Sequence, residues 1–434
     1  MKTKGTQGHR AKSVLLAGGH ILDPSAGLHA KADVWIQDGM IRKIGKTGAG
    51  ASAESVDCTG KVIVPGFMDM HAHFRDPGQE EKETLESGST AAMHGGFTEV
   101  CVMPNTVPAV DNRAAVESVL ERTRDFLVAV HPVAAITQDR RGEILTEMAE
   151  LSEAGAVAFS DDGNPVSNAG VFRRALEYAG MLGKTVIEHS EEKSLSEGGV
   201  MHEGLVSTAL GMAGISSLSE DVAVARNILI AEYTKTRLHI AHVSTEGSVR
   251  LIRDAKARGV KVTAETCPHY LVLTDEAVRG FSSQFKMNPP LRGESDRLAL
   301  IEGLKDGTID VIATDHAPHT VDDKDLEFQA AAFGIIGLET AVGIVLTHLV
   351  GKGCLTLEQV VEKMAVRPRA ILGLPPAALA EGMPANLTLI DTGRVWSADP
   401  STFQSRSRNT PFAGWEFKGA SAGVVRNGQI FMKP

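Results

Sequence analysis

The chain has 434 residues, 43% of them hydrophobic and 23% charged, with 44 Gly and 18 Pro; this ordinary globular composition excludes disorder, collagen and a long coiled coil. Lys and Arg number 44 against 54 Asp and Glu, a net charge of −10, so no surface-wide attraction for polyanions exists. Three Trp and three Tyr also supply no base-stacking platform, and a nucleic-acid partner is not expected.

In chain order, the basic N-terminal stretch leads into an apolar run, Val14–Ala17, shorter than the ~7 to 15 residues of a signal-peptide core. No stretch reaches the ~18 apolar residues of a spanning helix. Cys58, Cys101, Cys267 and Cys354 are far apart and form no C-x-x-C pair, so neither a disulfide scaffold nor a thiolate metal site is implied. A cytoplasmic location with no membrane partner is the expectation.

The two ends read as β structure. In VWIQDGMIRKI, Asp38-Gly39 suits a type I′ turn that sets Ile36 opposite Ile41. In VVRNGQIF, Asn427-Gly428 does the same for Val425 and Ile430. Two such ends, far apart in sequence, suggest one small β-sandwich domain assembled from residues 1–65 and 376–434.

Between them, short apolar runs alternate with longer amphipathic segments. Strands are expected near Val62–His73, Gly96–Pro104, Leu127–Ile136, Gly155–Ser160, Thr185–His189, Arg237–His242, Val260–Glu265 and Thr308–Asp315. Helices are expected at Asp111–Arg122, Ala169–Leu182, Ser219–Tyr233, Ser244–Arg258 and Ser295–Asp306. Eight βα units across residues 66–375 point to an α/β fold, a (β/α)8 TIM-type barrel. A doubly wound open sheet competes, but no glycine-rich phosphate fingerprint follows the first strand.

A barrel builds its active site at the C-terminal strand ends, and this chain places His71, His73, Asp161, His189, His242 and Asp315 there. His71 and His73 are two apart, so an extended strand projects both imidazoles from one face. Imidazole mixed with carboxylate, without thiolate, suits a borderline divalent metal such as zinc. Six ligands exceed the need of one tetrahedral ion and fit two, an arrangement that activates water near neutral pH. Duller readings exist for each residue alone: Asp161 as a turn residue in DDGNP, Asp315 as a helix cap. Their coincidence on five strand ends favours the metal. His239, three residues before His242, reads as structural, and His269 is a further residue near the same mouth.

Arg75 follows His73 by two and so shares its parity. A planar guanidinium fork beside a metal pair suits a substrate carboxylate, whereas a surface pair with Asp76 is the ordinary alternative. The polar segment TVDDKDLEFQ after His319 reads as a mobile lid or as a solvated loop.

Six segments, HAHFRDPG (71–78), GGFTEVCVMPNT (95–106), AFSDDG (158–163), AHVST (241–245), KMNPPLR (286–292) and IATDHAPH (312–319), resemble the dihydroorotases of the amidohydrolase superfamily, specifically the bacterial long-chain type. The resemblance runs from about Ile21 through SRNTPFAGW (407–415). It implies reversible, zinc-dependent cyclisation of N-carbamoyl-L-aspartate to L-dihydroorotate in pyrimidine biosynthesis. It implies that His71, His73 and Asp315 hold the more buried zinc, that His189 and His242 hold a second, and that Asp161 bridges. GAVAFSDD has no lysine at the end of strand four, where many relatives carry a carboxylated one, which matches the aspartate-bridged dihydroorotases. Arg75, Asn105 and His319 are then implied to hold the substrate carboxylate and Asn288 the ring amide edge, with backbone groups near Phe333 and Gly334 contributing. Asp315 is implied to be the catalytic base and then acid. A homodimer and association with aspartate transcarbamoylase are both compatible with the resemblance. So are two other activities: a hydantoinase or allantoinase acting on another cyclic amide, and a non-catalytic scaffold for aspartate transcarbamoylase.

Overall fold

The structure, a computed structural model, describes residues 8–46 and 53–433. Residues 1–7, 47–52 and 434, which the expected outer domain also spans, lie outside the described residues.

Eight short parallel strands pair in sequence order: Phe67–Ala72, Phe97–Val102, Ala129–Ala134, Ala158–Phe159, Thr185–Glu188, Leu238–Ile240, Val262–Thr266 and Val311–Ile312. The ring closes where His73 N donates to His316 O at 2.8 Å and Ala72 bridges His316 in parallel. The protein is thus a (β/α)8 barrel, and each segment read as a barrel strand contains one of these eight, save that Val262–Thr266 runs one residue past its segment. One face of successive strands, Met68, Met70, Cys101, Val133, Ala158, Ile187, Ala241 and Val311, forms a buried cluster of its own that fills the barrel interior. The opposite face packs against the surrounding helices in the main core.

The helices follow from local chemistry. Glu246–Ala257, for example, starts at Thr245, whose side chain accepts from Ser248 N, and buries Val249, Ile252 and Ala255 along one stripe. Arg113–Thr123, Ala169–Met181, Ser217–Thr234 and Glu294–Asp306 fall within two residues of the ranges read from the sequence. No helix among the described residues is long and apolar enough to cross a membrane.

The chain ends build one continuous nine-stranded sheet. Both hairpins form in the expected register, Ile36 opposite Ile41 and Val425 opposite Ile430. Asp38, Gly39, Asn427 and Gly428 all have positive φ, between 51° and 74°. The two turns abut, since a Cβ on Gly39 would touch Gly428 N at 3.1 Å. The expected sandwich is therefore a single sheet curled over a core of Leu16, Val34, Ile36, Ile63, Leu387, Leu389 and Val425.

The segment read as one strand from Val62 to His73 is two. Val62–Pro65 pairs with Asn386–Ser397 in the outer sheet, and Phe67–Ala72 opens the barrel. Gly66 is the junction, where an added Cβ would collide with Asn386 Oδ1 and Thr98 Oγ1. Arg369, 2% exposed, closes the same seam. Its Nη1 donates to Gly66 O at 2.7 Å and Ala365 O at 2.6 Å, and its Nη2 to Glu99 Oε1 at 3.0 Å. Asn386 Nδ2 reaches the same Glu99 oxygen at 2.6 Å. Removing a buried cation strands its anion and its carbonyls. Arg369→Met is therefore expected to cost about 3 kcal/mol or more, read as a lowered urea midpoint; an unchanged midpoint would refute this role.

Candidate active site

The first barrel strand carries two parities. Met68 and Met70 belong to the interior cluster, whereas Ala72 and Phe74 belong to the outer core. The register shift between Asp69 and Ala72 is the irregularity that allows His71 and His73 to face the barrel mouth together, a common use of a bulge beside a site.

Four imidazoles and two carboxylates meet there. Asp162 Oδ1 lies 3.3 Å from His71 Nε2, 3.6 Å from His242 Nε2 and 4.0 Å from His189 Nδ1. Asp162 Oδ2 is 3.5 Å from His73 Nε2. Asp315 Oδ1 is 3.0 Å from His73 Nε2 and 3.5 Å from His71 Nε2. His189 Nδ1 and His242 Nε2 face each other at 2.8 Å. Two triads have ligand geometry, His71–Asp162–His242 and His71–His73–Asp315, all of them buried. Burial alone pushes both carboxyls up, but His71 and His242 around Asp162, and His73 around Asp315, hold them well below the usual carboxylate range.

The carboxylate at the centre is Asp162, not Asp161. Asp161 Oδ1 accepts from Ile136 N at 2.8 Å and Thr137 N at 3.1 Å, and its Oδ2 takes the Thr137 hydroxyl. It caps the end of the third strand, and burial there raises its pKa to about 6 against those bonds. The fourth strand is only Ala158–Phe159, so strand parity does not extend to the Asp pair and the second aspartate turns inward.

The imidazoles are oriented by Glu265 and Glu191, which the sequence did not single out, and by Asn105, which it singled out only for the substrate. Glu265 accepts from His71 Nδ1 at 2.7 Å and from His239 Nε2 at 3.2 Å, while His239 Nδ1 faces Thr263 Oγ1 at 2.8 Å. His239 thus supports the site from one shell further out. Asn105 Oδ1 faces His73 Nδ1 at 2.8 Å, and Glu191 Oε2 faces His189 Nε2 at 3.0 Å. Glu191 also takes Lys193 Nζ at 2.7 Å and Asn288 Nδ2 at 3.3 Å. Each arrangement leaves the other ring nitrogen for the centre. A Glu inside a strand carries no motif, although the EHSEEK context of Glu191 marked a polar strand end. His269 is buried with Nε2 unpaired, and burial lowers its pKa to about 4; it does not line the cavity.

An open cavity of about 870 Å³ covers the cluster. Arg75, Asn105, Asn288, His319, Phe333 and Gly334 line it together with His73, Asp162, His189, His242 and Asp315. Arg75 is not on the strand: it has φ 58°, and its Nε donates to Pro318 O at 3.3 Å. Asp76 is taken by Arg122 through two bonds of 2.6 Å, so Arg75 has no carboxylate partner there and both its Nη groups are free of protein hydrogen bonds. Burial lowers its pKa to about 10, which leaves it charged at neutral pH. His319 Nε2 donates to Phe333 O at 2.8 Å. Burial, then the Arg75 charge, lower His319 to about 3, so it is neutral. Gly334 N donates to Lys286 O at 3.0 Å, which leaves Phe333 N–H as the uncommitted amide of the pair.

The segment after His319 is pinned. Val321–Lys324 is a helical turn capped by Thr320. Lys324, 3% exposed, donates to Lys286 O, Ala332 O and Gly334 O at 3.2, 2.8 and 3.0 Å.

The donor set fits a metal. His71 Nε2 and Asp162 Oδ1 are buried without a hydrogen-bond partner at the centre of the cluster, an arrangement that costs free energy unless a cation joins them. Glu265→Gln removes the charge behind His71 and is expected to weaken divalent-cation affinity by about 10- to 100-fold; chelator competition checks this, and unaltered affinity would count against the relay.

A family profile described as dihydro-orotase-like matches residues 60–248. The chain is 54% identical over 420 residues to the dihydroorotase of Pelotomaculum thermopropionicum, covering 97% of this chain and 98% of the relative. It is 50% identical over 423 residues to the dihydroorotase of Geobacter metallireducens, covering 97% and 100%. Among solved structures, the L-hydantoinase of Arthrobacter aurescens superposes with a TM-score of 0.86 at 26% identity over 97% of this chain and 96% of that one.

Proposed function

The chain belongs to the dihydroorotase family of cyclic amide hydrolases, and from that premise we propose how its cavity interconverts L-dihydroorotate and N-carbamoyl-L-aspartate in pyrimidine biosynthesis. The observation that carries the reading is the free Arg75 fork, which opens onto the same cavity as Asp315 and the imidazole cluster. The substrate pair has a carboxylate that neither hydantoin nor allantoin carries.

Arg75 binds that carboxylate through two parallel hydrogen bonds. Asn105 turns its Nδ2 to the same group while its Oδ1 orients His73, and His319, its Nε2–H spent on Phe333 O, borders the group from the opposite loop. Asn288 and the Phe333 N–H meet the ring amide edge. These contacts leave the scissile carbonyl over the Asp162–Asp315 cluster.

His71, His73, Asp162, His189, His242 and Asp315 would hold zinc, two ions in our assignment, since imidazole and carboxylate without thiolate suit that metal. Bound there, zinc would supply a Lewis acid for the carbonyl oxygen and a lowered pKa for water near neutral pH. In ring opening, Asp315 takes the proton of the attacking water and delivers it to the ring nitrogen as the C–N bond breaks. In ring closure, the same carboxyl accepts the proton of the ureido nitrogen and passes it to the departing oxygen. Asp315 sits at φ 48° and His242 at φ 33°, a backbone cost of about 1 to 3 kcal/mol each that surrounding bonds sustain at functional sites.

Three measurements test this reading. Asp315→Asn is expected to lower kcat by about 10² to 10⁴ with the fold kept, and near-normal turnover would remove it from the mechanism. Arg75→Met is expected to raise KM for dihydroorotate by two orders of magnitude with metal content unchanged; an unaltered KM would overturn the carboxylate assignment. On a panel of dihydroorotate, hydantoin and allantoin, the wild-type protein should open dihydroorotate preferentially, and a preference for either neutral ring would replace the proposal.

A further inference from the structure

The segment SRNTPFAGW lies far along the chain from every residue assigned to the cavity, yet it reaches the cavity wall from behind. Asn409, 3% exposed, uses both ends of its carboxamide there. Its Oδ1 accepts from His319 N at 3.1 Å, and its Nδ2 donates to Ala317 O at 3.0 Å and Gly334 O at 3.1 Å. The amide orientation follows from its partners, because one is a donor and two are carbonyls. Ala317, His319 and Gly334 line the cavity, whereas Asn409 lines only a smaller adjoining one.

We propose that Asn409 is a positioning residue that clamps the His319 loop to the Phe333–Gly334 strip and so sets the spacing of the substrate-binding wall. The inference deepens the reading above and rests on it. Gly334 is held from two sides, since Lys324 Nζ also donates to its carbonyl at 3.0 Å. Its φ of 128°, with Ala317 Cβ 2.7 Å from where a Cβ would stand, leaves no room for another residue. His319 in turn donates to Phe333 O at 2.8 Å. The clamp therefore links three groups whose relative positions must match one small planar ligand, and a displacement near 1 Å is enough to lose much of the binding they provide.

The expected signature is in binding rather than chemistry, because Asn409 touches none of the reacting atoms. Asn409→Asp keeps the acceptor for His319 N–H and loses both donors; Asn409→Ser shortens the reach and keeps a hydroxyl. Purified full-length variants should show a KM for dihydroorotate raised about tenfold. Their kcat should stay within about threefold of wild type and their bound metal should be unchanged, the pattern of lost ground-state and transition-state binding alike. Orotate, as a planar carboxylated probe, should lose inhibition by the same factor. If KM and orotate inhibition stay within twofold of wild type in both variants while wild type opens dihydroorotate, the clamp is overturned and the proposed function stands. If wild type does not open dihydroorotate, both fall.

Discussion

Asp162 and Asp315 face four imidazoles across a few ångströms in a barrel mouth where all six side chains are buried. Bringing these groups together is unfavourable without a cation, because buried charge and unpaired ring nitrogens each carry a desolvation penalty. The surrounding residues prevent the cluster from relaxing. Glu265 fixes His71 and leans on His239, Asn105 fixes His73, and Glu191 fixes His189. Three further buried carboxylates hold the loops behind them in the same manner. Asp161 caps Ile136–Thr137, Asp69 takes Thr314 N at 3.0 Å, and Glu220 takes Ser244 N and Thr245 N at 3.0 and 3.2 Å. Of these acids, Asp161, Asp69, Glu220 and Glu265 hold backbone or imidazole away from the cavity, Glu191 lines it while holding His189, and Asp162 and Asp315 line it at the centre of the cluster.

The outer sheet is connected to this device as well as being appended to the barrel. Asn386, at the start of its central strand, shares Glu99 with Arg369, and Thr388 Oγ1 accepts from Phe67 N at 2.9 Å, the residue that opens the first barrel strand. Phe67 leads directly into Asp69, His71 and His73. Further along the same end of the chain, the 405–409 stretch packs Ser405, Arg406 and Ser407 around Glu83 and Lys82, and Glu83 meets His316 at 3.3 Å. His316 is the residue through which the barrel closes. Two stretches of the C-terminal end therefore bear on the first barrel strand and on the residue that closes the ring.

Much of this was legible in the sequence because the signals were local. Asp-Gly and Asn-Gly fix a two-residue turn and with it a register, so both hairpins were readable to the residue pair. The alternation of short apolar runs and amphipathic segments gave the barrel, and the histidines ending those runs marked the mouth. What was not legible depended on where a strand stops. The fourth strand is two residues long, so parity said nothing about which of Asp161 and Asp162 turns inward. Arg75 was found by parity although it lies in a left-handed turn beyond the strand, a correct location reached by an argument that does not apply there. Glu265 gave no sign because a strand glutamate is defined by what lies across the barrel from it, about 190 residues away. The segment at 320–330 read as polar, yet Lys324 buries its ammonium on three carbonyls, a contact that composition cannot reveal.

The same barrel at a TM-score of 0.86 serves an L-hydantoinase at 26% identity, so the fold does not choose the substrate. On the proposed function, the choice lies in where positive charge is left without a partner. In a chain with a net charge of −10, exposed Arg113, Arg173, Arg253 and Arg258 are paired with acids and present no local excess. Arg122 is committed to Asp76 and Arg369 to Glu99. Arg75 differs from these six: its neighbour Asp76 is occupied by Arg122, and it lines the cavity. Pairing Asp76 elsewhere therefore does more than stabilise the helix that carries Arg122. It removes the neighbouring internal anion, and so leaves an arginine that reads as half of a surface ion pair available to the substrate carboxylate of the proposed function.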